Sequence, residues 1–152
     1  MRVLLDTNLL TRMAEPGHVQ HQFALDATDL LGKQGHDLVL VPQVIYEFWV
    51  VCTRPLNVNG LGRTALEAEA ELLNFKSLFT ILDESALFLA EWEKLVTVLQ
   101  ITGKTAHDAR LVAGMTVHGI THLLTFNEQD FRRYAGITIL TPAVVLAPSI
   151  TP

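Results

Sequence analysis

Three acidic residues, far apart in the chain, occupy positions from which they could act together on a metal ion. Asp6 closes the apolar run Val3-Leu4-Leu5, and Asp108 falls in the opening turn of a helix that starts near Thr105. Glu47 is the single charge in Val41 to Cys52, VPQVIYEFWVVC. Burying a carboxylate among such neighbours is costly unless a partner or a metal compensates it. Carboxylates that converge also raise one another's pKa and repel, unless a cation lies between them. Magnesium or manganese suits such a set. Hard ions take oxygen ligands, keep several waters, leave room for a substrate phosphate, and support phosphodiester cleavage. That chemistry needs neither a nucleophilic serine nor a cysteine.

Each acid also has a plainer reading. Thr105-Ala106-His107-Asp108 has the spacing of a capping box, in which Asp108 would serve only the helix N-terminus. Asp6 would serve equally as the cap of the turn it begins. Glu47 lies mid-helix, where no cap is called for, and its plain reading is an ion pair with Arg54 or Arg110. The three together are harder to explain in this way than any one of them.

Their positioning depends on the surrounding elements. Val3 to Leu5 reads as a buried strand of parallel type, ended by the polar Asp6-Thr7-Asn8 as a loop or helix start. His18 to Gln34 has an imperfect helical pattern closed by Gly35. Leu38 to Val41 is a second strand, and Pro42 suits the first turn of a helix running through Glu47 to about Cys52. Arg54 to Arg63, RPLNVNGLGR, is a loop. Helices follow over about Thr64 to Lys76, with Leu66, Ala70 and Leu73 on one side, over Ser85 to Gln100, and over Thr105 to about His118. Further strands are expected at Phe79 to Leu82, Thr121 to Phe126 and Ile137 to Leu140. Strands alternating with helices imply an α/β domain whose central parallel sheet is covered on both faces. In such a sheet ligands gather outside the carboxyl ends of the strands, where chain-distant acids can meet. One domain over residues 1–147 and a loose tail over 148–152 are expected.

The whole chain narrows the possibilities. At 152 residues it has the length of a single packed domain. Its 49% hydrophobic content and mean hydropathy of +0.31 point to surface that another subunit or partner covers. Pro42, Gln43 and Glu47 interrupt the best candidate for a membrane span, and the opening strand leaves no secretory leader, so a cytoplasmic chain is expected. Cys52, alone, forms no internal disulfide and reads as a small core residue. A net charge of −5 argues against a surface that coats nucleic acid, yet allows a local basic rim around an acidic pocket. Arg12, Arg54, Arg63, Lys104, Arg110, Arg132 and Arg133 are its candidates. Gly103-Lys104-Thr105 is no phosphate loop, since Val98 stands where the first glycine belongs and a helix precedes it. His118 and His122 straddle Gly119 and share no helical zinc-binding face; His18 and His21 read as a solvated face.

MRVLLDTNLL, VPQVIYEFWVVCTRP and GKTAHDARLVAGMTVHGITHLLTFNEQDF, in this order over nearly the whole chain, resemble the PIN-domain family and within it the VapC-like toxins. The resemblance implies a three-layer α/β/α fold and a cluster of acids that binds magnesium or manganese and cuts single-stranded RNA. By motif it assigns Asp6, Glu47 and Asp108 to that cluster. It also implies a homodimer and a cognate antitoxin whose tail occupies the active groove. The fourth position departs from the pattern. Where many members carry an acid directly after the strand, this chain has Asn127, with Asp130 three residues later. Asn127 offers a hydrogen bond but no charge. Asp130 either takes over or caps the following turn. A catalytically silent module that binds RNA or a protein is the alternative the missing acid leaves open.

Overall fold

The computed structural model describes residues 1–148, so the expected tail lies, Pro148 apart, outside the described residues. Among the described residues five short strands form one sheet: β1 (Arg2–Leu5), β2 (Asp37–Leu40), β3 (Thr80–Ile81), β4 (His122–Leu124) and β5 (Thr138–Leu140). Their order is β3-β2-β1-β4-β5, and every neighbouring pair is parallel. The three middle strands are nearly continuous runs of Val and Leu that are fully or almost fully buried. This is the signature of strands covered on both faces.

Among the described residues eight α-helices join or follow the strands: α1 (Thr7–Met13), α2 (His21–Lys33), α3 (Pro42–Thr53), α4 (Ala65–Leu78), α5 (Leu87–Val98), α6 (Ala106–Val117), α7 (Glu128–Phe131) and α8 (Pro142–Leu146). From β1 the chain moves outward through β2 to β3, and then crosses to the other side of β1 for β4 and β5. Right-handed crossovers that run in opposite directions place their helices on opposite faces. Accordingly α1 packs on α2 and α3, and α3 on α4, while α5 packs on α6. The result is a three-layer α/β/α domain.

Of the loop or helix start expected at Asp6-Thr7-Asn8, the structure has the helix, α1, because the Asp6 side chain accepts the Thr7 backbone N–H and caps it. Two differences from the expected elements have clear physical causes. In α4 the inward face is Ala68 and Phe75, whereas Leu66 and Leu73 are 75% and 62% exposed. Phe75 decides this orientation, meeting Phe48 edge-to-face with ring centroids 5.1 Å apart. At Thr105 no capping box forms: the residue is already helical, and its hydroxyl donates to the Thr102 carbonyl at 2.8 Å. Asp108 therefore has no reciprocal capping partner.

Cys52 is fully buried, as its apolar setting implied. No helix among the described residues is long and apolar enough to cross a membrane. Phe48 shows no exposure and locks α3, the helix that carries Glu47, onto α4. Phe48→Ala is expected to lower stability by about 3–5 kcal/mol, the usual cost of emptying a packed aromatic site. Urea unfolding with an unchanged slope would check it; a loss under about 1 kcal/mol would mean that the α3–α4 contact does not hold this layer.

Candidate active site

The sheet order reverses between β1 and β4, leaving a crevice at the carboxyl ends of those two strands. Asp6 is the residue that follows β1, and Thr125 follows β4. The fully buried Thr125 hydroxyl donates to Asp6 Oδ2 at 2.7 Å, bridging the crevice. Asn8 adds a second tie, donating from Nδ2 to Asp6 Oδ2 at 2.7 Å and to Thr125 Oγ1 at 3.0 Å, while its Oδ1 accepts the Phe126 N–H at 3.1 Å. With the Thr7 N–H on Oδ1 at 2.7 Å, the Asp6 carboxylate receives neutral donors on both oxygens. Its capping role and its place in the acidic site are therefore compatible.

Glu47 is half-buried on α3 and faces the same crevice. Its Oε2 accepts the Thr7 hydroxyl at 2.8 Å, and its Oε1 accepts Gln43 Nε2 at 2.8 Å. Neither Arg54 nor Arg110 forms the ion pair that its apolar setting allowed for, among the described residues. Arg110 instead donates to Gln43 Oε1 at 3.1 Å and pairs with Glu84 at 2.5 Å.

Asp108, in the first turn of α6, completes a trio with Asp6 and Glu47 around an open cleft of about 650 Å³. Asn127 and Asp130 line the same cleft, so both candidates for the fourth position reach it. The lining of the cleft also includes Arg12, His18, Arg54 and the loop through Gly60. Gly60 is required there by close packing, because a Cβ would fall 1.8 Å from the Arg54 carbonyl oxygen. His18, expected on a solvated face, is part of this lining, and its Nδ1 accepts the Gln20 N–H at 3.1 Å. Its neighbour His21 lies against the Arg12 carbonyl at 2.9 Å.

The electrostatics follow from this crowding. Burial pushes the Asp6 carboxyl up to about 6, against the pull of hydrogen bonds from Thr125 and Thr7, with Glu47 and Asp108 adding repulsion. Asp108 also rises to about 6, through burial first and then through the charges of Asp130 and Glu47. Asp130, three residues after Asn127, contributes negative charge beside Asp108. Tyr134 is pushed up to about 12, chiefly by burial, and its hydroxyl has no hydrogen-bond partner among the described residues.

Among the described residues no group of three or more His, Cys, Asp or Glu side chains stands close enough together to hold a metal ion by itself. The acids share an open cleft and form no compact ligand set. Magnesium suits this openness, since it binds through one or two carboxylates and keeps waters for the rest. An all-oxygen donor set with two acids raised first by burial and then by neighbouring negative charge fits such an ion. Gln43, Asn8 and His18 were not foreseen in the cleft or its support; Gln43 was legible as a polar residue one helical turn before Glu47.

No family model matches the sequence, and no curated protein matches it significantly. Solved structures do match. A chain of VapBC2 from Rickettsia felis, bound to a DNA fragment from the promoter, superposes with a TM-score of 0.72 over 93% of this chain and 98% of its own, at 19% identity. VapC20 of Mycobacterium tuberculosis, a toxin that cleaves the sarcin-ricin loop, gives 0.63 over 84% and 92%, also at 19% identity. A chain of DNA-bound VapBC from Salmonella typhimurium gives 0.62 over 93% and 98%, at 18% identity. At these identities the likeness establishes architecture, and the chain is a PIN-like α/β/α domain of the kind found in VapC toxin structures.

Proposed function

We infer that the chain is a magnesium- or manganese-dependent endoribonuclease that cuts single-stranded RNA, and that it is the toxin of a toxin–antitoxin pair. The observation that carries this reading is the convergence of Asp6, Glu47 and Asp108 on one open cleft at the reversal of the sheet, with two carboxyls raised to about 6. The likeness to VapC toxins, one of which cleaves RNA, supports it. A bound magnesium or manganese would supply activation of a water and stabilisation of the leaving oxygen of the phosphodiester. Asp6 and Asp108 would hold the principal ion. Glu47 would hold it directly or through water and orient the attacking water. Asp130 supplies the negative charge that neutral Asn127 lacks, and Asn127 offers a hydrogen bond. Arg12 and Arg54 line the same cleft, and in this reading they would hold RNA phosphates, the sequence-independent part of binding.

The same reading gives the chain a cognate antitoxin seated in the cleft, a homodimeric state and a cytoplasmic setting. The exposed Leu66 and Leu73 on α4 supply apolar surface for such contacts. A catalytically silent binding module is the reading favoured by Asn127; the presence of Asp130 in the lining of the same cleft argues against it.

End-labelled RNAs incubated with manganese are expected to be cut by the wild type, and to stay intact with chelator or with Asp6→Asn or Asp108→Asn. Glu47→Gln is expected to slow cutting by about 10²–10⁴-fold, as for loss of a general base. Full activity in both aspartate variants would sink the assignment. A wild type that neither cuts nor gains thermal stability in millimolar manganese would favour the silent module.

The raised acids also predict a pH response of the metal-free protein. A carboxyl whose pKa is higher folded than unfolded adds stability below its unfolded value of 3.8, and that stability is lost as pH rises through about 6. Asp108→Asn removes a carboxyl whose ionised form is disfavoured first by burial and then by the charges of Asp130 and Glu47. Allowing for the solvent around this half-buried group, the metal-free variant is expected to melt about 2–4 °C above the wild type at pH 8, with the difference shrinking towards pH 4. Calorimetry across that range checks it; a difference independent of pH would mean that the ionised form of Asp108 is not disfavoured.

A further inference from the structure

The inference rests on the nuclease reading of the cleft and concerns a residue outside the acidic cluster. We propose that Gln43 is a positioning residue that sets Glu47 against the Asp108 helix, and that Arg110, pinned by Glu84, fixes the direction in which Gln43 acts.

Gln43 is only 6% exposed and sits in the first turn of α3, one turn before Glu47. Its Nε2 donates to Glu47 Oε1 and to the His107 carbonyl, both at 2.8 Å. His107 immediately precedes Asp108. One side-chain amide thus joins a carboxylate on α3 to the backbone beside a carboxylate on α6.

The amide could in principle face either way, because its oxygen and nitrogen have nearly the same shape. Arg110 removes that freedom. A guanidinium has only donors, so the atom it meets at 3.1 Å must be Oε1. Both N–H groups are then left for two acceptors, Glu47 and the His107 carbonyl. Turning the amide over would set its oxygen against a carboxylate and a carbonyl, and its N–H groups against a cation. Glu84 pairs with the other end of Arg110 and holds it in place. With the Thr7 hydroxyl on Oε2 and Gln43 on Oε1, each Glu47 oxygen meets a donor that selects its rotamer. Groups that orient a metal-binding carboxylate from behind typically change metal affinity or activity by about 10–100-fold when removed.

The test has two independent arms. In a ¹⁵N-labelled sample, the side-chain amide protons of Gln43 are expected to exchange slowly with solvent in the wild type, and at least ~10-fold faster in Arg110→Met. This arm needs neither metal nor RNA. A Gln43 amide in the wild type that exchanges like an exposed one overturns the proposal. In the second arm, titration with manganese alone is expected to give a Kd about 10–100-fold higher in Gln43→Met and Arg110→Met, with partial recovery in Arg110→Lys. The manganese needed for half-maximal RNA cleavage should rise in parallel, while KM for RNA stays unchanged.

Removing a cation near an acidic site would by itself draw manganese in more tightly. Weaker binding in Arg110→Met therefore reports lost orientation, and unchanged or tighter binding in Gln43→Met and Arg110→Met overturns the proposal. Arg110 is one-third exposed, so its variants remain informative should Gln43→Met fold poorly. If the wild type neither binds manganese nor cuts RNA, the nuclease reading falls, and amide exchange alone decides the Gln43–Arg110 arrangement.

Discussion

The structure depends on gathering negative charge where the sheet reverses direction. Asp6 stands at the end of the central strand, between two helical layers, and burial alone disfavours its ionised form. The protein offsets this with neutral donors. Thr7, Asn8 and Thr125 surround the carboxylate, and Thr7 and Gln43 do the same for Glu47. No arginine sits directly on either acid among the described residues, although Arg110 lies one residue removed. Donors without charge hold carboxylates in position and still leave them able to attract a cation.

The rest of the fold serves that arrangement. Buried strands of Val and Leu align β1 between β2 and β4 so that Asp6 and Thr125 face each other across the crevice. Phe48 and Phe75 fix α3 over α4, which sets the height of Glu47. Trp92 donates to the Ala106 carbonyl at 2.8 Å, tying α5 to the first turn of α6, the turn that presents Asp108. Packing thus positions the charges, and hydrogen bonds set their final orientation.

Much of this was legible in the sequence because the strongest signals are apolar. The runs around Val3, Leu38 and Leu123 read as buried strands, and Glu47 stood out as a lone charge among apolar neighbours. Polar side chains were harder to read. Asp6-Thr7-Asn8 fitted a loop or a helix start, because the same residues that favour turns also cap helices. The Thr105 pattern had the spacing of a cap without the backbone geometry. Leu66 and Leu73 formed a plausible inward stripe until Phe75, the larger group, found Phe48. Gln43 could not be read as a support for Glu47 without knowing that Arg110, far along the chain, would meet its oxygen.

The bridge from Thr125 to Asp6 spans 119 residues of sequence. β1 is made first, yet one of its two neighbours in the sheet is β4, made more than a hundred residues later. Domains emerging from a ribosome fold as units, at about 5–20 residues per second. A nascent chain therefore holds Asp6 for several seconds with no Asp108, no Thr125 and no closed crevice. Whatever chemistry the cleft performs is withheld from the machinery that synthesises it until almost the whole domain has left the exit tunnel.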